Sequence, residues 1–421
     1  MTTKELILEL KISKVISNYI PLKYRGNSYE AICPFHADTK PSLKVNDEKG
    51  LFKCFACGAG GDVFNFVMNY RDISFPEALG EIALYHNIPS EDFKSSSSDR
   101  TSVALDLLSY AQRVYFEEAK KNENFTFYIA SRDISIEFAN HLHLCFAPDR
   151  DIILDLIKDD SFKLDLALEL GLIRSTSSGY HDTFKNRIMF PISTEQGACV
   201  GFCSRSIDEQ MPKYLNSFIF KKSELLYGLN LSKKEIQRQS SVLIVEGFMD
   251  FVTLYQHGIK NVVACMGTAI SESCILRLNE LSSEIILGLD SDEAGIKAME
   301  RINKLMLKKG IVPYIINYAP KKDADEFIKA SDNATSELRE RLNSSRTMLD
   351  FEIEKLAELN RSEEISRKIK SLISVFSLVA DLGLTILATE RILQYAKMIG
   401  ILSSEQVLLD EYSHFLKATR V

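Results

Sequence analysis

The 421 residues contain no run of about 18 apolar residues, so no membrane-spanning helix is predicted. Met1 to Leu10 mix Lys4, Glu5 and Glu9 with leucines and lack the apolar stretch and small-residue cleavage site of a secretory signal. A cytoplasmic protein that does not meet the membrane is the expectation. No GxxxxGKS or GxxxxGKT loop occurs, which removes ATP-driven motors that cradle phosphates in such a loop, and no internal repeat marks a solenoid. Strong charge of one sign is also lacking: the net charge of −7 neither requires nor forbids a nucleic-acid partner, so local charge must decide. The 45% hydrophobic and 26% charged fractions exclude a disordered or fibrous chain. Eight cysteines without a secretory signal are expected as reduced thiols or metal ligands rather than a disulfide framework.

The length suits about two to four compact units. Residues 1–94 begin helically and turn into short strands and turns rich in Gly, Pro and Cys. The polar run Ser95-Ser96-Ser97-Ser98-Asp99-Arg100 reads as a linker, which puts a boundary before residue 101. A helix is expected from Thr101 to about Lys121, another over Ile136 to His143, and short strands between Arg187 and Gly201. From Ser241 to about Lys329, the apolar runs Val242 to Val245, Val262 to Ala264, Ile285 to Leu289 and Val312 to Ile316 alternate with helical segments. That alternation predicts a parallel α/β sheet. Beyond Asn333 the pattern is helical, with amphipathic stretches over Met348 to Leu359 and Ile365 to Val379. The fold class that follows is multidomain α+β, with units at 1–94 and 101–421, the latter divided at 101–240, 241–330 and 334–421.

Two ligand pairs stand in the first unit, Cys33-Pro34-Phe35-His36 and Cys54-Phe55-Ala56-Cys57, each with two residues between its members. A tight turn of that spacing sets two soft ligands on one tetrahedral ion, and the four predict one closed, structural Zn²⁺ site. Ser42 to Val45 and Leu51 to Lys53 read as the intervening hairpin, turning at Glu48-Lys49-Gly50. The plainer alternative is two chance cysteine pairs in a small core. Cys145, Cys199, Cys203, Cys265 and Cys274 read as core thiols. Around the ligands, Lys23, Arg25, Lys40, Lys44 and Lys53 alternate with Tyr24, Tyr29, Phe35 and Phe52. This mixture suits single-stranded nucleic acid, although a solvated basic face would give the same pattern.

Carboxylates gather where the predicted parallel strands end. Glu246 follows the first strand, with Asp250 one helical turn on. Asp290 and Asp292 follow the third, and Asp323 and Asp325 come after the last. Carboxyl ends of strands line the crevice of an open α/β sheet. Crowded carboxylates repel unless bridged by cations, and hard oxygen ligands suit Mg²⁺ or Mn²⁺, two or more here, which predicts phosphoryl-transfer chemistry. Helix capping is the plainer explanation of each residue alone. Just upstream, Lys185, Arg187, Arg205, Lys213, Lys221 and Lys222 face only Glu195, Asp208 and Glu209. These cations would serve a nucleic-acid backbone or a triphosphate, or form an ordinary solvated surface.

The order of these features resembles the bacterial DnaG-type primase family along nearly the whole chain. Cys33 to His36, Cys54 to Cys57 and Gly58 to Asp62 look like its zinc module. Phe184 to Arg187, Met189 to Ile192, Gly201 to Arg205, Pro212 to Ser217 and Leu226 to Leu229 look like its basic core subdomain. Glu246 to Asp250, Gly267-Thr268-Ala269 and Asp290 to Gly295 resemble its TOPRIM motifs. The resemblance implies an N-terminal zinc ribbon, a TOPRIM parallel-sheet core with a mixed basic subdomain before it, and a helical subdomain after it. It implies Glu246, Asp290 and Asp292 as principal metal ligands completed by Asp250, Asp323 and Asp325, and Arg132, Arg187, Arg205, Lys213 and Lys222 as contacts for template or nucleotide phosphates. The implied reaction is synthesis of RNA primers from ribonucleoside triphosphates on single-stranded DNA, within the primosome. Ser291 stands where the family often has a smaller residue. The chain stops at Val421 near the family's core boundary, so the usual domain for docking a replicative helicase is expected to be missing, in a shortened piece or a form that recruits partners differently. Two other readings compete: another TOPRIM enzyme, nuclease or topoisomerase, and a catalytically silent binder of single-stranded DNA.

Overall fold

The computed structural model describes residues 10–36, 38, 40–71, 73, 78–79, 81–82, 86, 97–208, 212–217, 224–266, 270–361 and 364–419. The chain packs as two compact units, residues 1–107 with 153–183, and residues 108–152 with 184–421.

In the first unit an antiparallel sheet runs in chain order through β1 (Lys23–Arg25), β2 (Ser28–Ala31), β3 (Leu43–Asn46), β4 (Leu51–Cys54) and β5 (Gly60–Gly61). β3 and β4 form the predicted hairpin, with Leu43 opposite Cys54 and Val45 opposite Phe52. Alternation sets the register: Leu43, Val45, Phe52 and Cys54 are buried while Lys44, Leu51 and Lys53 face solvent. Gly50 closes the turn at φ 61°, a left-handed conformation that favours glycine. The buried face packs on α1 (Ile12–Ile16) and α2 (Val63–Arg71) through Val15, Ile16, Phe64, Phe66 and Val67. The expected serine linker needs correction in part. The chain is already helical at Ser97, in a helix spanning Ser97–Ala119, because a short polar run with an acidic residue is compatible with a first helical turn. Ser95 and Ser96 lie outside the described residues.

In the second unit a sheet of order β9-β8-β7-β6 is antiparallel throughout, with β6 (Cys145–Ala147), β7 (Arg187–Ser193), β8 (Cys199–Ser206) and β9 (Tyr214–Asn216). β7 continues through Pro191. β6 pairs only with Arg187 to Met189, so the missing N–H of Pro191 falls where no second neighbour needs it. A further sheet has the order β11-β10-β12-β13-β14, with β10 (Ser241–Val245), β11 (Val262–Ala264), β12 (Glu284–Leu287), β13 (Tyr314–Ile315) and β14 (Arg346–Thr347). The first four are mutually parallel, as the apolar runs predicted, and α3 (Phe248–Gln256), α4 (Glu272–Leu281) and α5 (Glu293–Leu307) make the crossovers. β14 runs antiparallel to β13. It corrects the expectation of helix alone beyond Asn333; two residues are too few to leave a period-two signal. β10 is buried on both faces, Leu243 and Val245 entering one core cluster and Val242 and Ile244 another.

After α6 (Ala324–Ile328), the chain ends in α7 (Met348–Asn360), α8 (Ile365–Val379), α9 (Ile386–Met398) and α10 (Glu405–Thr419), packed around Ile353, Phe376, Ile392, Tyr395 and Tyr412. No helix among the described residues is long and apolar enough to cross a membrane.

Candidate functional site

Cys33, His36, Cys54 and Cys57 converge, their ligand atoms all within 4.8 Å of one another. The Cys33 and Cys57 sulfurs are 3.8 Å apart, close to the spacing of two thiolates on one tetrahedral zinc, whose bonds run about 2.3 Å. Among the described residues, the buried His36 Nδ1 has no hydrogen-bond partner, so a metal ion would satisfy it. The other ring nitrogen, Nε2, lies 4.0 Å from Asp38. Asp38 also accepts from the Cys33 backbone N–H at 3.0 Å and from the Ser42 hydroxyl at 2.5 Å, which organises the first knuckle from outside the ligand set. The Ser42 hydroxyl, then the Cys33 N–H, holds the Asp38 carboxyl down at about 2. Burial pushes the Cys33 thiol up to about 12. Burial also raises Cys54, but the Cys57 N–H and the Ser42 hydroxyl outweigh it and bring that thiol to about 6. This donor set fits one zinc ion.

The cations and rings around the ligands are more constrained than their spacing suggested. Lys44 and Arg25 both approach Glu30 at 3.7 Å, and Lys53 donates to the Gly58 carbonyl at 2.6 Å. Phe52 is buried and packs with Phe35 and Phe66, whereas Tyr24 is 66% exposed, meeting only the Tyr29 ring edge-to-face at 5.0 Å among the ring contacts of the described residues.

The acid site is built from loops at the carboxyl ends of the parallel strands. β10 runs into Glu246, half-buried and raised by burial and then by the charges of Asp290 and Asp292. Gly247 follows at the start of α3, and Asp250 Oδ2 reaches back to accept from its N–H at 3.0 Å. A Cβ on Gly247 would lie 2.9 Å from that oxygen, so the reach depends on glycine. Asp292 caps α5 by accepting from Gly295 N at 2.9 Å, and Gly295 is likewise required: a Cβ there would meet the Asp290 carbonyl at 2.1 Å. Asp323 caps α6 by accepting from Glu326 N at 2.8 Å. Capping, the plainer reading of these acids, is therefore true of Asp292 and Asp323, yet each keeps a second oxygen beyond the cap.

The six acids fall into two groups. Asp250 is buried, accepts from Gly247 and Asp325 backbone N–H groups, and is pushed up to about 7 by burial and then by the Asp323 charge. Asp325 is clamped by Thr253 at 2.5 Å, Lys329 at 2.8 Å and Arg132 at 3.8 Å. Glu246, Asp290, Asp292 and Asp323 are the more open set. Lys322, which sequence reasoning passed over although it adjoins Asp323, sends its ammonium to Asp290 at 3.1 Å and Asp292 at 3.7 Å. A cation thus already bridges these two carboxylates, and this oxygen-rich set fits divalent ions. Ser291 was also passed over as a structural element. Its hydroxyl donates to Asn317 Oδ1 at 2.9 Å and accepts from Tyr318 N at 3.0 Å, tying the acidic loop to the segment after β13.

The basic residues divide as well. Arg187 is only 4% exposed and gives its guanidinium to the Pro212 and Lys213 carbonyls, which fixes the approach to β9. Lys213 on that approach is exposed. Arg205 lies 5.8 Å from the ring centres of both Tyr128 and Tyr214. Arg132 neighbours the same two tyrosines and Asp325. Lys222 and Gly267-Thr268-Ala269 lie outside the described residues.

Three family profiles match this chain: CHC2 zinc finger over residues 1–98, DNA primase catalytic core N-terminal domain over 113–233, and Toprim-like over 243–328. A DNA primase of Aquifex aeolicus is 36% identical over 365 residues, covering 86% of this chain and 72% of the relative. A DNA primase of Staphylococcus epidermidis is 33% identical, covering 76% of this chain and 56% of the relative. The crystal structure of the zinc-binding and RNA polymerase domains of the Aquifex aeolicus primase is similar at a TM-score of 0.62 and 32% identity, covering 97% of this chain and 98% of that one.

Proposed function

The chain belongs to the DnaG-type DNA primase family, whose activity is that of a DNA-directed RNA polymerase with zinc and magnesium as cofactors, and from that premise we propose how its own residues divide the work. Because the chain spans little more than half the length of several curated relatives, primer synthesis by the whole protein is part of the proposal.

Glu246, Asp290 and Asp292, with Asp323, are the proposed ligands of the catalytic ions. Divalent ions held there would neutralise charge on the nucleotide phosphates and lower the cost of forming the new phosphodiester bond. Asp250 and Asp325, engaged by backbone and side-chain partners, complete the site by holding its walls. Lys322 orients Asp290 and Asp292. Arg132, Arg205, Lys213 and Lys222 are assigned to template or nucleotide phosphates, with Tyr128 and Tyr214 offering rings beside Arg205. Arg187 acts through the backbone that it grips. Positioning and charge carry the catalysis, with no protein nucleophile. The zinc ribbon is proposed to read the single-stranded template through Tyr24 and its flanking cations.

The functional units are proposed at 1–94, 101–240, 241–330 and 334–421. A cytoplasmic location and a replicative helicase partner belong to the same proposal; stimulation of primer yield by added helicase tests the latter. The observation that carries the assignment is the Lys322 ammonium 3.1 Å from Asp290 and 3.7 Å from Asp292, a cation already held between two carboxylates at the end of the parallel sheet. Labelled ribonucleotides on random single-stranded DNA should yield short RNA that needs Mg²⁺ or Mn²⁺. Asp290→Ala should lower that yield at least about a hundredfold while leaving the melting profile intact. Unchanged yield would sink the carboxylate assignment.

A further inference from the structure

Between α5 on one side and α7 and α8 on the other lies a cavity of about 840 Å³, and none of the six acids lines it. That size falls within the range of about 300 to 1,000 Å³ usual for small-molecule sites. Leu356 and Leu359 on α7 and Leu378 on α8 give it an apolar wall, and Leu359 is left 67% exposed. A seam between helices that needed only to pack would close on such leucines. This one stays open.

α5 meets the cavity with Lys297, Arg301 and Lys304, spaced four and three residues apart and so on one side of the helix. Their charges are unequally spent. Lys297 pairs with Glu293, and Lys355 on α7 pairs with Glu300 at 2.9 Å. Arg301 and Lys304 make no ion pair or side-chain hydrogen bond among the described residues. A guanidinium fork and an ammonium one turn apart suit the several oxygens of one phosphate. A polar pair stands at the opposite wall. Glu352, which lines the cavity from α7, accepts from Asn303 Nδ2 at 2.9 Å, and its other oxygen makes no hydrogen bond among the described residues. Asn303 is fully buried, and among the same residues its Oδ1 has no partner. An amide and a carboxyl sunk beside leucines cost stability, which calls for a use beyond packing. Burial pushes the Glu352 carboxyl up to about 7, where one group offers both a donor and an acceptor, the pair that a nucleobase edge presents in return.

We propose that this cavity is a second small-molecule site, built for a nucleoside phosphate: the phosphate on Arg301 and Lys304, the base against Leu356, Leu359 and Leu378 with its polar edge at Glu352. The site is separate from the acid site and does not depend on which carboxylates hold the catalytic ions.

The test uses the full zinc-loaded chain without added divalent ions, and equilibrium dialysis with labelled AMP and GMP as probes and inorganic phosphate measured beside them. Wild type should take up about one equivalent of AMP or GMP per chain with a Kd on the order of 0.1 mM. Replacing both cations, Arg301→Ala with Lys304→Ala, should weaken that uptake at least about tenfold. The double variant should melt as wild type does, because both side chains are exposed. Asp290→Ala should bind the nucleotides as tightly as wild type. No saturable uptake, uptake that the double variant keeps at full strength, or uptake that Asp290→Ala loses would each overturn the proposal, the last by returning the nucleotide to the acid site. Inorganic phosphate bound as tightly as AMP and GMP would mean that the cations act alone, and the nucleoside assignment would fall.

Discussion

The zinc ribbon and the acid site gather metal ligands in opposite ways. In the ribbon, four soft donors close to within 4.8 Å, and one, His36 Nδ1, has no hydrogen-bond partner among the described residues. In the acid site the carboxylates are held apart on strand ends and are already engaged: Asp292 and Asp323 by helix N-termini, Asp290 by Lys322, Asp325 by three side chains. The first arrangement suits an ion that stays, the second ions that arrive with substrate and leave open positions. The proposed division between a structural and a catalytic metal thus has a counterpart in how the two sets of donors are held.

Removing a ligand from each should expose the contrast most sharply at the ribbon. Cys54→Ser is expected to drop zinc from one ion per chain to near none and to loosen the β3–β4 hairpin, since structural zinc contributes roughly 10 kcal/mol or more of apparent binding free energy. Metal analysis and limited proteolysis of the first unit would read this. Mn²⁺ uptake by the acid site should be untouched. A variant that kept its zinc would erase the distinction drawn above.

The pH dependence of stability should differ in sign between the two sites. Asp250, pushed up to about 7 by burial and then by Asp323, holds its proton more tightly in the folded protein than in the unfolded chain, where an aspartate titrates near about 3.9. Below about pH 4 both states are protonated and nothing is lost. As pH rises from about 4 to 7 the unfolded chain releases the proton first, so stability falls, by about 4 kcal/mol at most, and levels off above 7. Glu246 and Asp323 are raised in the same direction and add to the slope. Asp38 in the ribbon is lowered, so its contribution is present above its ordinary range and vanishes as pH falls towards about 2. Urea melts of the zinc-loaded chain without added Mg²⁺, taken from pH 5 to 8, should show the fall in the second unit, and saturating Mg²⁺ should flatten it. A flat profile without Mg²⁺ would contradict the burial of an ionisable Asp250.

The two sites were also unequally legible. Paired spacing spells the four zinc ligands outright, because the turn that binds the ion is local and its geometry fixes how many residues lie between donors. The acids were legible as a set, through their place after apolar strands, but not in their roles. Nothing local marks Asp325 as held by Thr253, more than seventy residues earlier, or Arg187 as spent on the Pro212 carbonyl. Those partners come from packing between distant segments. The parallel strands β10 to β13 were readable because burial on both faces makes unbroken apolar runs. β14 was not, being two residues long beside helices, and Ser97 was assigned to a linker because helix propensity discriminates poorly at a polar first turn.

The mildest way to sharpen the contrast lies at Ser291, where the family resemblance expects a smaller residue. Removing its hydroxyl deprives Tyr318 N of its acceptor and Asn317 Oδ1 of a donor, while leaving the Ser291 N–H bond to the Lys322 carbonyl at 2.7 Å. Asn317 Oδ1 also accepts from Ala319 N at 2.6 Å, so it does not go unpaired; the loss falls on Tyr318 N. Ser291→Ala should therefore cost about 1 kcal/mol in the second unit, the usual range for one hydrogen bond with partial solvent rescue. Because the same tether sets the distance between Asp290 and the segment carrying Lys322 and Asp323, the Mg²⁺ concentration for half-maximal primer yield should rise a few-fold, with the yield at saturating Mg²⁺ nearly unchanged. Zinc content should not move. A fall in saturated yield instead would mean that Ser291 acts on the chemical step itself, and the division between walls and ligands in the acid site would have to be redrawn.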